Sequence, residues 1–314
     1  LSPVLFNVFM DLVMRDFRSE YEARGGSGVK FKFQLPGRQP GERAVLDLGF
    51  ADDLALTLPT KAQATAALDI MKSVAHRWGL QINWDKTDVV LLQPRTVTRV
   101  GPGDHIQLSC GQRVGVRAGV RHLGVRFNEA GDQAEEVRQR IASAAFAFRK
   151  WSPVLLDRQN LHVTTRANVY KSYVLPPLLY AGAEAWALPQ HLMARVGAVH
   201  NEFLRRILGA AARGPEGVLT ISNEDLYHRV GAWDLVSHLD HLRLRRLGHI
   251  ARLPDSSLLK QLLFADSLDL PGDGGPRAGG ADVQWTSVAA RTLVAHSQLG
   301  GWYTIAQDRD AWSR

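Results

Sequence analysis

Residues Ala44–Pro59 read AVLDLGFADDLALTLP. Leu46, Leu48 and Phe50 share one face, and Leu54, Leu56 and Leu58 alternate beyond an adjacent acid pair, Asp52 and Asp53. Period-two apolar patterning on both sides of two polar residues predicts a β-hairpin with the acids at or beside its tip. Adjacent carboxylates repel, and such a tip would more readily take Asn-Gly. A hard cation resolves the conflict. Mg²⁺ prefers carboxylate oxygens, keeps several waters and completes its shell with substrate phosphates. The other reading is a solvated turn, because Asp is a common turn residue.

Upstream, LSPVLFNVFMDLVMRDF (1–17) reads as a helix, with Ser2 able to cap it and Pro3 suited to its first position. Val4, Leu5, Phe6, Phe9, Leu12 and Val13 crowd nearly every turn, so most of its circumference is expected to be buried. EARGGSG (22–28) and LPGRQPGE (35–42) are loops flanking a strand, VKFKFQL (29–35). Downstream, Thr60 caps a helix with Ala67, Met71, Val74 and Trp78 on one face, and Gly79 ends it. LQIN (80–83) and DVVLL (88–92) are strand-like, and 100–127 stays β-rich.

At Asp132 the pattern changes. Asp132 and Glu135 suit a capping box, and helices are expected at 132–151, 158–175, 190–208, 222–230 and 233–252. A Gly/Pro linker (270–283) and a Trp-rich tail close the chain. The fold class is therefore α+β: a mixed region over 1–130, an all-α region over 131–255, and a linker with a short helical tail over 256–314.

The chain has 314 residues with 38 basic and 31 acidic side chains, a formal charge of +7, and a pI of about 9.7. A polyanionic partner fits that balance. Hydrophobic content of 45% with 22% charged residues excludes a disordered chain. The single cysteine, Cys110, excludes a disulfide scaffold and a multi-Cys zinc module. The most apolar stretch, 174–188, carries two prolines and Glu184, so no membrane partner is expected. No signal-peptide pattern opens the sequence. Arg205, Arg206, Arg213, Arg243, Arg245, Arg246 and Arg252 gather in the last helices among His200, His238, His241 and His249. They form either a phosphate-binding surface or a solvated basic face. His238 and His241 lie one turn apart, but basic neighbours repel a cation, and no metal site is expected there. Trp186, Trp233, Trp285, Trp302 and Trp312 are expected to be core anchors.

LSPVLFN (1–7), FADD (50–53), GLQINWDKT (79–87) and RHLGVRF (121–127) occur in that order, followed by VYKSYVLPPLLYAGAEAW (169–186), RRILG (205–209) and LRRLGHIARLP (244–254). The ordered set resembles the reverse transcriptases of non-LTR (LINE-type) retrotransposons. The resemblance implies a palm over 1–130, built as an antiparallel sheet with packed helices, and a thumb-like region over 131–255. It implies an RNA-directed DNA polymerase using an RNA template, a DNA primer, a dNTP and Mg²⁺ in two-metal phosphoryl transfer. Asp52 matches the family's metal-binding aspartate and Asp53 its supporting acid. Phe50 and Ala51 complete that motif. Lys86 sits where the family neutralises pyrophosphate, or is a plain loop lysine. Ser2, Pro3 and Asn7 match the helix flooring the nucleotide and template pocket, or serve as cap and helix-surface amide. His122, Leu123 and Gly124 resemble the primer-gripping hairpin. Arg205, Arg206, Arg245 and Arg246 would hold the nucleic-acid backbone. A nuclear location is expected from the family.

The sequence departs from the family in one respect that bears on activity. The family uses another metal-binding aspartate, on a strand before the LSP helix, and a fingers region. Here Asp47 lies among core-like neighbours, and Asp11 and Asp16 lie on the first helix. The expectation is a fragment that does not polymerise by itself. The alternative is a non-catalytic nucleic-acid-binding protein derived from such an element.

Overall fold

Apolar spacing of three and four residues forms the first framework. Val13, Met14, Phe17 and Tyr21 lie on one face of helix α1 (Pro3–Ala23), and Ala67, Ile70, Met71 and Val74 on one face of helix α2 (Lys61–Arg77). The two faces pack together, and each large apolar side chain removed from water contributes about 2 kcal/mol. Thr60 caps α2 by accepting from the Gln63 N–H at 3.2 Å. Gly79, at φ 72°, ends it. Polar clasps lock the pair: Arg77 reaches Glu20 at 2.7 Å and Asp16 at 3.1 Å, and the Trp78 indole N–H donates to Asp16 at 3.0 Å. Those donors hold the Asp16 carboxyl below its ordinary pKa.

The computed structural model describes residues 3–92, 103–129, 133–180, 183–209, 221–265, 289, 292–293 and 301–312. Ser2, Asp132, Arg213, Trp285 and the linker at 270–283 lie outside the described residues. The chain divides into two units, Leu1–Gly131 with Ala265–Ser267, and Asp132–Phe264 with Leu268–Arg314.

In the first unit, strands β1 (Val29–Phe33) and β2 (Gly41–Val45) form one hairpin, and β3 (Asp47–Phe50) and β4 (Asp53–Leu56) form a second. Strands β5 (Asp88–Val90), β6 (His105–Gln107) and β7 (Arg113–Arg117) form a sheet of order β5-β7-β6, over a small core of Ile106, Leu108, Val114 and Val116. Strands β8 (Gly119–His122) and β9 (Val125–Asn128) form a third hairpin. The α+β class is observed. The expected single antiparallel sheet is replaced by separate small sheets, and β5 pairs with β7 in parallel. The LQIN segment is not a strand: Leu80 and Ile82 turn into the helix core, while Asn83 caps a 3₁₀ turn, Trp84–Lys86.

One burial expectation is also corrected. Helix α1 buries one face only; Val4, Leu5, Val8 and Leu12 on the opposite side are exposed. On β3, Leu48 and Phe50 face solvent, with Phe50 67% exposed, although Leu46 packs against the helices. The cause is register. Asp47 pairs with Leu56 and Gly49 with Leu54, so β4's leucines cover the helix-facing side, and alternation turns Leu48 and Phe50 outward.

The second unit is helical among its described residues: α3 (Ala134–Trp151), α4 (Val163–Tyr173), α5 (Leu175–Leu178), α6 (Gln190–Leu208), α7 (Asn223–Val230), α8 (Leu235–Ala251), α9 (Leu258–Leu263), α10 (Trp302–Gln307) and α11 (Arg309–Trp312). Its main core joins α3 through α8 around Phe148, Leu156, Tyr170, Trp186, Leu204 and Leu239. A satellite core carries Leu247, Ile250 and Leu263 with Trp302 and Trp312. The described tail thus packs onto α8. Trp186 is buried, and Trp233, Trp302 and Trp312 pack against these cores, as core anchors do.

Candidate active site

The acid pair sits where its flanking pattern places it. Phe50 pairs with Asp53, leaving Ala51 and Asp52 as a two-residue tip. Asp52 and Asp53 are exposed, and neither carboxylate bonds or ion-pairs with a described residue. Their lone pairs are therefore available. Ala51 adopts φ 55°, a region L-residues other than Gly, Asn and Asp seldom occupy.

What holds this tip is the hairpin's base. Leu54, Leu56 and Leu58 pack on α1 and α2. Thr57 returns its N–H to Leu46 O at 2.8 Å and its hydroxyl to Val45 O at 2.7 Å. Arg18 on α1 meets Asp47 on β3 with two parallel bonds of 2.7 Å, Nε to Oδ1 and Nη2 to Oδ2. Bidentate guanidinium–carboxylate pairs fix orientation as well as distance. The Asp47 side chain is only 8% exposed, and bonding to it raises the Arg18 pKa. Asp47 is thus a strut rather than a metal ligand, and it explains how an acid tolerates core-like neighbours. Sequence reading did not assign this pair. The signal was an acid inside an otherwise apolar strand, which requires a buried partner.

The other sequence-derived residues occupy separate surface turns of the same unit. Lys86 is exposed at the end of the 3₁₀ turn, its backbone N–H bonded to the Asn83 side chain at 3.3 Å. His122 pairs with Val125 across the β8–β9 tip, where Leu123 (φ 49°) and Gly124 (φ 81°) make the turn. Positive φ at both central residues is the hairpin turn that matches strand twist. Gly124 adopts it freely, and Leu123 adopts it at a cost. Among the described residues, Ala51 and Leu123 are the non-glycine positions with positive φ, and both lie in the sequence-derived site. Pro3 opens α1, and Asn7 is exposed on it. The structure therefore brings Phe50, Ala51, Asp52 and Asp53 together. No hydrogen bond or ion pair joins the acid pair to Lys86 or His122.

Among the described residues, no group of three or more His, Cys, Asp or Glu side chains is placed to hold a metal ion. Two adjacent carboxylates fit one Mg²⁺ whose remaining positions are taken by water and phosphate oxygens. They do not by themselves fit a pair of ions.

The arginines of the helical unit are mostly engaged internally. Arg205 bonds Asn223 at 2.5 Å. Arg206 lies over Phe148 and near Asp157, at 3.6 Å, and Ser152. Arg246 is 3.6 Å from Glu184. Arg243 is buried and bonded to Asp240 at 2.7 Å and to Trp186 O. Arg245 is exposed without a described ion pair.

Against known proteins, residues 1–127 match the family model for reverse transcriptase (RNA-dependent DNA polymerase). Over those residues the chain is similar to reverse transcriptases. The match runs from α1 to the β8–β9 hairpin and includes the acid pair. Over 282 residues the chain is 26% identical to an uncharacterised transposon-derived protein of Caenorhabditis elegans, covering 86% of this chain and 94% of that one. It is 27% identical over 187 residues to the RNA-directed DNA polymerase from mobile element jockey of Drosophila melanogaster, covering 56% of this chain and 19% of that protein. No solved structure gives a significant match. No helix among the described residues is long and apolar enough to cross a membrane. The match to the family model ends at residue 127, and the similarity to the transposon-derived protein extends into the helical unit.

Proposed function

We propose that this chain is part of a LINE-type RNA-directed DNA polymerase, with residues 1–130 as a partial palm and 131–255 as a thumb-like region. The observation that carries the reading is the adjacent carboxylate pair, unpaired and exposed at the tip of a hairpin clamped to two helices. On this reading Asp52 and Asp53 hold Mg²⁺. The ion, when bound, neutralises charge on the incoming triphosphate. Lys86 approaches the departing pyrophosphate as a point charge. The strained turn at Leu123 and Gly124 presents backbone to the primer end. Pro3, Asn7, Phe50 and Ala51 line the nucleotide and template side. The substrates are an RNA template, a DNA primer and dNTPs.

The donor set stops at two carboxylates among the described residues. The chain as it stands is therefore proposed not to extend a primer, and a nucleic-acid-binding role without catalysis is the second reading. Primer extension on an RNA template with Mg²⁺ tests the first point: no product is expected, and processive extension would refute it. Mn²⁺ titration followed by amide line broadening tests the acid pair. Broadening should centre on residues 51–54 and disappear in Asp52→Asn/Asp53→Asn. Broadening that spares this tip would overturn the assignment.

A further inference from the structure

Where the end of α1, the first half of α2 and the turn between β6 and β7 meet, the first unit forms an open cavity of about 390 Å³. That volume suits a small organic molecule. Its walls include Tyr21, Arg24, Gly26, Gln63, Asp69 and Ile70. None of these belongs to the sequence-derived polymerase site.

Local sequence builds the cavity. Gly25, at φ 77°, ends α1, and the Gly26 N–H returns to Tyr21 O at 3.0 Å. Bare backbone therefore borders the phenol end of the Tyr21 ring: a Cβ at Gly26 would stand 2.4 Å from Tyr21 Cζ. On α2, Gln63, Ala66 and Ile70 recur at three- and four-residue spacing and share one face. The Ser109 N–H and hydroxyl both donate to Asp69 Oδ1, at 3.0 and 2.8 Å, which joins the β6–β7 turn to that helix.

The polar groups on these walls are only partly used. Tyr21 is 2% exposed, and its hydroxyl has no hydrogen-bond partner. Native structures rarely leave a buried hydroxyl unpaired. Gln63 Oε1 accepts from the Thr60 hydroxyl at 3.2 Å, while its Nε2 has no described partner. Arg24 gives Nη2 to Glu20 at 2.6 Å and keeps Nε and Nη1 without described partners. Asp69 has acceptor capacity beyond its bonds from Ser109. Arg24 and Asp69 are not ion-paired with each other.

The complement to such walls carries both signs of charge. A plain carboxylate would meet the donors of Arg24, Gln63 and Tyr21 but face the like charge of Asp69. A plain amine would meet Asp69 but face Arg24. A molecule holding a carboxylate and an ammonium together answers both, and Ala66 and Ile70 receive an apolar body. We propose that this cavity binds a small zwitterion, an α-amino acid with an apolar side chain. The proposal stands apart from the polymerase reading, because it uses neither the acid pair nor a metal ion.

The test is an amide-shift titration by NMR of the full chain at pH 7 with L-leucine, N-acetyl-L-leucine (anion only) and L-leucinamide (cation only). Shifts with leucine should centre on residues 21–26, 63–70 and 109, and leucine should bind at least about 3-fold more tightly than either blocked form. Tyr21→Phe, which removes only the hydroxyl, should weaken leucine binding about 2- to 10-fold. Asp69→Asn should bind N-acetyl-leucine at least as well as leucine, and Arg24→Gln should do the same for leucinamide. Circular dichroism melts confirm that each variant is folded. Shifts that spare the cavity, equal affinity for the three probes, or wild-type selectivity in both folded charge variants would each overturn the proposal.

Discussion

Lowering the pH should unfasten the helical unit at one buried imidazole. His200 is 0% exposed. Its Nε2 faces the Trp233 carbonyl at 3.1 Å, and its Nδ1 faces the Tyr170 hydroxyl at 2.7 Å. A carbonyl only accepts, so Nε2 carries the hydrogen and Nδ1 accepts from Tyr170. The neutral ring therefore satisfies both partners. Burial drives the His200 pKa down from 6.5 to about 4; the Trp233 bond and Asp234 oppose that shift, and His238 adds to it. The sign follows from linkage. Below pH 6.5 the unfolded chain takes up a proton that the folded chain refuses, so stability falls with pH until the folded ring also protonates near pH 4. A gap of about 2.5 units at ~1.36 kcal/mol each amounts to about 3 kcal/mol. Urea denaturation of wild type and His200→Gln at pH 7, 6, 5 and 4 isolates this contribution, because other titrating groups cancel in the difference. The stability advantage of His200 should shrink by about 3 kcal/mol between pH 7 and pH 4. A difference constant within about 1 kcal/mol would show that the ring is solvated or already charged.

Other perturbations act on the framework. Asp47→Ala removes both bonds to Arg18 that fasten β3 to α1; because Arg18 is partly exposed, the cost should be about 1–2 kcal/mol by chemical denaturation, with faster amide exchange at 47–56. Gly248→Ala places a Cβ 2.2 Å from Trp312 Nε1. It should expel the indole from its 2.9 Å bond to Leu244 O, red-shift tryptophan emission and destabilise the tail contact by about 1–3 kcal/mol. Leu123→Gly relieves the φ 49° position and should be neutral or stabilising by up to about 1 kcal/mol in thermal melts, whereas Gly124→Val in the same turn should destabilise.

Local patterns were readable in sequence where one periodicity dominated. Thr60, the apolar face of α2 and Gly79 all point to the same helix, and α2 spans Lys61–Arg77. The hairpin around Asp52 and Asp53 was equally legible, because alternation and acid placement agree. What sequence missed depends on partners distant in the chain. Arg18 and Asp47 are separated by 29 residues, and only their meeting turns a core acid into a strut. The exposure of Leu48 and Phe50 follows from a register that no local pattern encodes. Ala51 and Leu123 carry no compositional sign of positive φ, since glycine would be the usual choice. The arginines at 205, 206, 243 and 246 looked like one charged face, but several are tied to acids, amides or carbonyls that sequence spacing does not reveal.

Helix α1 has a practical consequence at the bench. Val4, Leu5, Val8 and Leu12 form an apolar stripe in contact with water. Environment-sensitive dyes brighten on such surfaces, so the native protein should already fluoresce with them before any heating. Dye-based melting curves would begin from a high baseline, and concentrated samples would call for mild detergent or a solubilising fusion at the amino end.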